Sequence, residues 1–175
     1  MGALVMDLLS ADGWKMDEPW TPLRRDLTGP VDNQRLRIEV ITPERAHVWT
    51  AVHRAAFGSP KFTYDRWHAM ASGLPYDDAR CLVGYDNQGN AVAMVTVWSA
   101  GPGKPGVLEP MGVHPDHRGH GYGMATTLAA ARALQELGFS SAVVCTPSSN
   151  VGAVATYKSA GFQELPERRD RYRDA

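Results

Sequence analysis

Two cysteines, Cys81 and Cys145, are all that this chain of 175 residues carries, too few for the disulfide framework that staples small secreted domains. Both read as free thiols in a reducing, cytoplasmic compartment. Neither sign of charge is in excess: 18 Lys and Arg stand against 19 Asp and Glu, a net charge of -1, so no overall field draws the chain to nucleic acid. A long apolar run is also lacking. The strongest one, residues 91–98, is far shorter than the roughly 20 residues that cross a bilayer, and no membrane partner is expected. No basic leader precedes Asp7, and Met6 stands where a myristoylation signal needs Ser or Thr. What remains, with 43% hydrophobic residues, is the composition of a globular protein with one core of ordinary size.

Leu4, Val5, Leu8 and Leu9 recur at helical spacing up to Gly13, and residues 20–27 read as a strand that Pro19 and Pro22 confine to an edge or make irregular. Residues 28–34 read as a linker. The chain therefore divides into an extension, 1–34, and a domain, 35–175. In the domain, residues 35–41 alternate as a half-buried strand, and Thr42-Pro43 opens a helix to about Ala56. A second helix is expected over 64–71. Strands over 80–85 and 91–100 flank turn residues, and a third over 107–113 runs into glycine-rich 115–123. A helix over 122–137 stops at Gly138, a strand covers 140–146, a helix over 150–160 stops at Gly161, and 162–173 supplies a closing hairpin. This is an α/β chain of the α+β type: a mostly antiparallel sheet flanked by helices, with one strand, loop, helix, strand unit making a parallel crossover.

Chemistry is expected in that unit. Gly119, Gly121 and Gly123 alternate where the strand hands over to the helix, so successive backbone N–H groups can converge on an anion at the positive end of the helix. Arg118 adds a charged donor to the same loop.

The run Val113-x-Pro115-x-x-Arg118-Gly119-x-Gly121-x-Gly123 resembles the acyl-CoA pyrophosphate signature of the GNAT superfamily of N-acyltransferases. Asn150-x-x-Ala153-x-x-x-Tyr157-x-x-x-Gly161-Phe162 resembles the second signature of that family. The resemblance runs from about Leu36 to the C-terminus. It implies the GNAT fold, with acetyl-CoA as co-substrate and no metal. It implies that Met111 and Val113 offer backbone groups to the pantetheine arm, and that the N–H groups of Arg118, Gly119, His120, Gly121, Tyr122 and Gly123 hold the pyrophosphate. A splayed gap between the strands ending near Val113 and starting near Ser140 is implied as the path of the thioester.

Tyr157 stands where the family places its general acid, and a phenol can protonate a leaving thiolate, the better if the site depresses its pKa. Asn150 either holds the cofactor arm or simply caps the helix that follows it. Glu109 is the candidate base, because even spacing places it on one strand face with Met111 and Val113; a carboxylate there is used by some relatives. His114, His117 and His120 recur every third residue, but the intervening Pro115 and Gly119 do not hold three imidazoles on one face. His53 and His68 read as surface or packing histidines rather than ligands, and Cys145 as a buried structural thiol. Phe62, Tyr64, Trp67, Tyr76, Asp77 and Asp78 follow the first helix of the domain, where this fold usually walls the acceptor pocket.

The opening segment echoes the closing one: Gly13-Trp14 repeats Gly161-Phe162 at the end of an apolar helix, Pro19 repeats Pro166, and Leu9 stands where Tyr157 stands. It looks like the last helix and strand of a second GNAT domain. Such a helix has no core of its own, so it should pack on the main domain or on another subunit, a possible homodimer. The reading as a whole is an N-acetyltransferase acting on the primary amine of a small molecule by direct attack. Two alternatives stand beside it: acetylation of a protein N-terminus or lysine, and a non-catalytic acyl-CoA-binding module.

Overall fold

Local chemistry sets the helix limits in the computed structural model, which describes residues 3–31 and 36–174. The boundary read at residues 34 and 35 falls outside the described residues. Five helices lie among them: α1 (Ala3–Ala11), α2 (Ala46–Phe57), α3 (Tyr64–Ala71), α4 (Tyr122–Glu136) and α5 (Val151–Ser159). Thr63 opens α3 by accepting the Arg66 N–H, and Asn150 opens α5 by accepting the Ala153 N–H. Thr42 makes no such bond; Pro43–Arg45 form a 3-10 turn before α2. Gly58 ends α2 at a φ of 58°, a left-handed cap that glycine supplies at little cost.

The strands are β1 (Lys15–Asp26), β2 (Arg37–Val40), β3 (Arg80–Tyr85), β4 (Ala91–Trp98), β5 (Pro105–Val113), β6 (Ser141–Pro147), β7 (Gln163–Glu164) and β8 (Arg168–Tyr172). They form one sheet in the order β2-β3-β4-β5-β6-β1-β7, with β8 also on β1. Every pair is antiparallel except β5 and β6. Those two run parallel, and only Pro105, Gly106 and Val107 pair with Ser141, Ala142 and Val143. Beyond them the strands part.

The helices bury different stripes on the two faces. Trp49 and Val52 of α2 and Trp67 of α3 pack with Cys81, Val83 and Met94 on one face. Ala130 and Leu134 of α4 and Tyr157 of α5 pack with Leu82, Val95, Leu108 and Val144 on the other. Leu23 of β1, fully buried, belongs to this second core.

Prolines were expected to confine the N-terminal strand to an edge or make it irregular; β1 is irregular between Met16 and Pro19 but is no edge, since it lies inside the sheet, paired with β6 from Trp20 to Asp26 and with β7 and β8 on its other side. The reason is where each proline falls. The Pro22 carbonyl accepts the Leu165 N–H, so its ring nitrogen faces the outer side, where residues 165–167 interrupt the strand and no donor is needed. Pro19 sits at an irregularity in the pairing with β8. The closing hairpin is likewise replaced: β7 and β8 both add to β1 rather than to each other.

The internal echo has a structural counterpart. Gly13 N–H donates to Ser10 and Trp14 N–H to Leu9, as Gly161 does to Lys158 and Phe162 to Tyr157. Gly13 and Gly161 take φ values of 79° and 81°. Yet α1 does not pack on the main domain as α5 does: Leu4 is 71% and Leu8 62% exposed. Arg171 to Ser10 and Arg173 to Asp12 tether it to the C-terminal residues.

Candidate active site

The site is built where β5 leaves β6. His114 N–H donates to the Val92 carbonyl at 2.8 Å, so by alternation Gly112 also faces β4, while Met111 and Val113 turn their N–H and C=O groups toward the splay. Above this edge the chain makes a 3-10 turn, Pro115–His117, and enters α4 through Gly121 at a φ of 79°, with no side-chain cap. Gly119, at 82°, is the other left-handed residue of the loop. The N–H groups from Gly119 to Met124 find no acceptor among the described residues, so six consecutive donors converge at the positive end of a 15-residue helix. Such a row of donors can hold an anion.

The individual loop residues divide their work differently from what the motif implies. The Arg118 N–H is already given to the Pro115 carbonyl, so the free donors begin at Gly119. Its guanidinium does not add charge to the cradle. It donates to the Ala56 carbonyl at 3.0 Å and the Val113 carbonyl at 3.4 Å, bracing the last turn of α2 against the end of β5, where a cation is favoured. Gly123 serves packing: a Cβ there would stand 3.0 Å from Thr156 of α5, so its absence lets α4 and α5 close on each other. Asn150 is spent as the α5 cap at 3.1 Å, leaving its amide NH2 free. His114 accepts the Asp116 N–H and meets the His117 ring edge-on, while His120 stacks on Tyr122.

Glu109 stands at a β-bulge. Val97 pairs with Leu108 and Val95 with Met111, so Glu109 and Pro110 together oppose the single residue Thr96. Leu108 and Met111 both belong to the core under α4. The expected common face of Glu109, Met111 and Val113 therefore does not form: the extra residue shifts the phase, and Glu109 lies on the opposite face. Pro110, which cannot donate to a ladder, was the sequence sign of this break. Trp98 was missed altogether; its indole N–H donates to the Glu109 carbonyl at 2.5 Å and holds the bulge.

Tyr157 lies under the splay, 5% exposed, in the core with Phe162. Burial pushes its phenol up to about 12, and the Glu109 carboxylate adds to the shift. The site does not depress this tyrosine; it keeps it protonated. Cys145 is exposed rather than buried. Partial desolvation raises its thiol, Arg168 lowers it, and Glu109 and Asp170 raise it further. The Glu109 carboxylate thus acts on both the Tyr157 phenol and the Cys145 thiol. The aromatics after α2 form a chain of ring contacts, Tyr64, His68, Trp67 and Tyr76, that ends on Trp98 beside the bulge. His53 stacks on Trp49 in the α2 core.

Residues 45–162, two-thirds of the chain, match the acetyltransferase (GNAT) family. The chain belongs to the GNAT acetyltransferase family. A mycothiol acetyltransferase from Arthrobacter sp. (strain FB24) is 30% identical over 139 residues, which are 75% of this chain and 43% of the relative. A GCN5-related N-acetyltransferase from Sphaerobacter thermophilus superposes with a TM-score of 0.73 at 20% identity, over 99% of this chain and 57% of that one. A tandem GNAT protein from the clavulanic acid biosynthesis pathway superposes with a TM-score of 0.68 at 16% identity, over 98% of this chain and 59% of that one. The GNAT chain described here thus spans less than half of its curated relative and a little over half of these solved structures.

Proposed function

We propose that this GNAT chain is an acetyl-CoA-dependent N-acetyltransferase that acylates the primary amine of a small molecule by direct attack. The observation that carries the reading is the alignment of three features along one splay: the free donors of residues 119–124, the backbone edge of Met111 and Val113, and the buried phenol of Tyr157 beside Glu109. The first would hold the pyrophosphate and the second the pantetheine arm.

Acetyl-CoA supplies the acyl group as a thioester, whose C–S bond breaks as the C–N bond to the amine forms. Glu109 faces the side of the sheet that α4 and α5 do not cover, so an amine approaching from there meets a carboxylate able to take its proton, directly or through water. Tyr157 faces the gap from the other side. Held neutral by burial, it donates a hydrogen bond to the sulfur and gives up its proton as negative charge grows there, in a pocket dry enough to raise the basicity of both partners.

The test is calorimetric titration of the protein with acetyl-CoA, beside a Gly121→Glu variant whose fold is checked by circular dichroism. Glutamate at a φ of 79° is strained and brings a negative charge to the cradle. One-site binding that the variant loses, followed by CoA release in the presence of amines, supports the reading; a folded wild-type protein that does not bind acetyl-CoA ends it.

A further inference from the structure

Glu109 reaches the open face of the sheet through backbone geometry. Its carboxylate accepts no hydrogen bond and forms no ion pair among the described residues, so no side-chain partner orients it. What orients it is the bulge, in which Glu109 and Pro110 together oppose Thr96. An extra residue of this kind stands outside the ladder, and Pro110 has no N–H with which to tie it back. The ladder therefore holds this point of β5 less firmly than its neighbours.

Trp98 supplies the missing hold. Val97 is fully buried in the core under α4, so Trp98, the next residue, turns to the opposite face, where it pairs with Val107. From there its indole N–H donates to the Glu109 carbonyl at 2.5 Å. An indole nitrogen can only donate, and the ring that carries it is itself seated: Tyr76 meets it edge-on at 6.2 Å, and buried Trp67 of α3 meets Tyr76 in the same way at 5.7 Å. A rigid donor anchored through two rings to the core under α3 thus grips the backbone of the residue that the bulge turns over. We infer that Trp98 is a positioning residue for the base of the proposed reaction: its N–H fixes the bulge and so keeps the Glu109 carboxylate on the open face. The role of base rests on the acetyltransferase reading; the placement of the carboxylate does not.

Cys145 reports on that placement. It is the exposed cysteine of the two, Cys81 being buried, and the Glu109 carboxylate acts on its thiol together with Arg168 and Asp170. The experiment follows iodoacetamide alkylation of Cys145 in the full chain, by peptide mass spectrometry, between about pH 8 and 10, where thiols ionise. Glu109→Gln should move the profile to lower pH by removing a negative charge. Trp98→Phe keeps a ring against Tyr76 and loses the donor; it should shift the profile while Glu109 is present and have no further effect in the Glu109→Gln background, because it acts through Glu109. Trp98→His returns a ring N–H, since imidazole Nε2 overlays indole Nε1, and should restore the wild-type profile; its imidazole is neutral in this range. Melting temperatures show that each variant is folded. A wild-type profile in Trp98→Phe, a shift of equal size with and without Glu109, or a Glu109→Gln profile identical to wild type overturns the inference and leaves the acetyltransferase reading standing on its acetyl-CoA titration. A folded wild-type protein that does not bind acetyl-CoA ends that reading and removes the base that Trp98 would serve, whatever the alkylation shows.

Discussion

Tyr157 concentrates the question of what one side chain contributes. Its phenol is kept neutral by burial and by the nearby Glu109 carboxylate, and a positioned proton donor is worth roughly 10²- to 10⁴-fold in rate. Tyr157→Phe should therefore keep acetyl-CoA affinity within about twofold and lower kcat by roughly that factor; an unchanged kcat removes the residue from the mechanism. The same shift has a consequence for stability. The unfolded chain ionises this tyrosine near 10, the folded one near 12, so between those values the unfolded state holds fewer protons and stability falls as pH rises. The loss attributable to Tyr157 is about 2–3 kcal/mol at its fullest. Tyr76, also raised by burial, adds to it, so the informative comparison is urea unfolding of wild type and Tyr157→Phe at pH 8 and pH 11, where the variant should lose less. Sequence pattern led to this residue because a motif names a position. It could not show the direction of the shift, which depends on how much of Phe162 and the α4 core closes over the ring.

At the scale of elements, the turn from β5 into α4 was legible and the bulge before it was not. Glycines at alternate positions after a strand have few physical explanations, and two of them, Gly119 and Gly121, do take left-handed φ values. A bulge, by contrast, is decided by the neighbouring strand: Pro110 signals a break in the ladder, but not that Thr96 will face two residues. For the same reason Arg118 looked like a phosphate ligand until the end of α2 was seen to lie beside it. That helix end is tightly seated. A Cβ on Gly112 would meet the Phe57 ring at 3.3 Å and the Ala56 Cβ at 2.6 Å, and the Ala56 Cβ cannot move without the helix. Gly112→Ala should push α2 off β5, cost about 1–3 kcal/mol, and disturb the Arg118 bond to the Ala56 carbonyl. Thermal unfolding would show the first effect and a weakened acetyl-CoA titration the second.

The whole molecule depends on a strand that sequence reading assigned to an extension. Without β1, the β6 edge from Ser141 to Pro147 and the second core around Leu23 would be open, and β7 and β8 would have nothing to pair with. A fragment covering residues 36–175 should not fold by itself, and a synthetic peptide of residues 14–28 should restore its circular dichroism and acetyl-CoA binding. Removal of residues 1–11 alone should change the melting temperature little, since α1 leaves Leu4 and Leu8 in solvent. A stable 36–175 fragment would show that the sheet does without its inserted strand.

The insertion of β1 also sets an order of events. Its partners on β6 and β8 follow it by more than a hundred residues, so Leu23 and its neighbours are made well before the strands they pair with. Strand pairs this far apart in sequence have costly loop closure before their contacts are rewarded. Folding should therefore be slow for a chain of this size, and the waiting β1 strand is the surface through which newly made molecules would most readily aggregate.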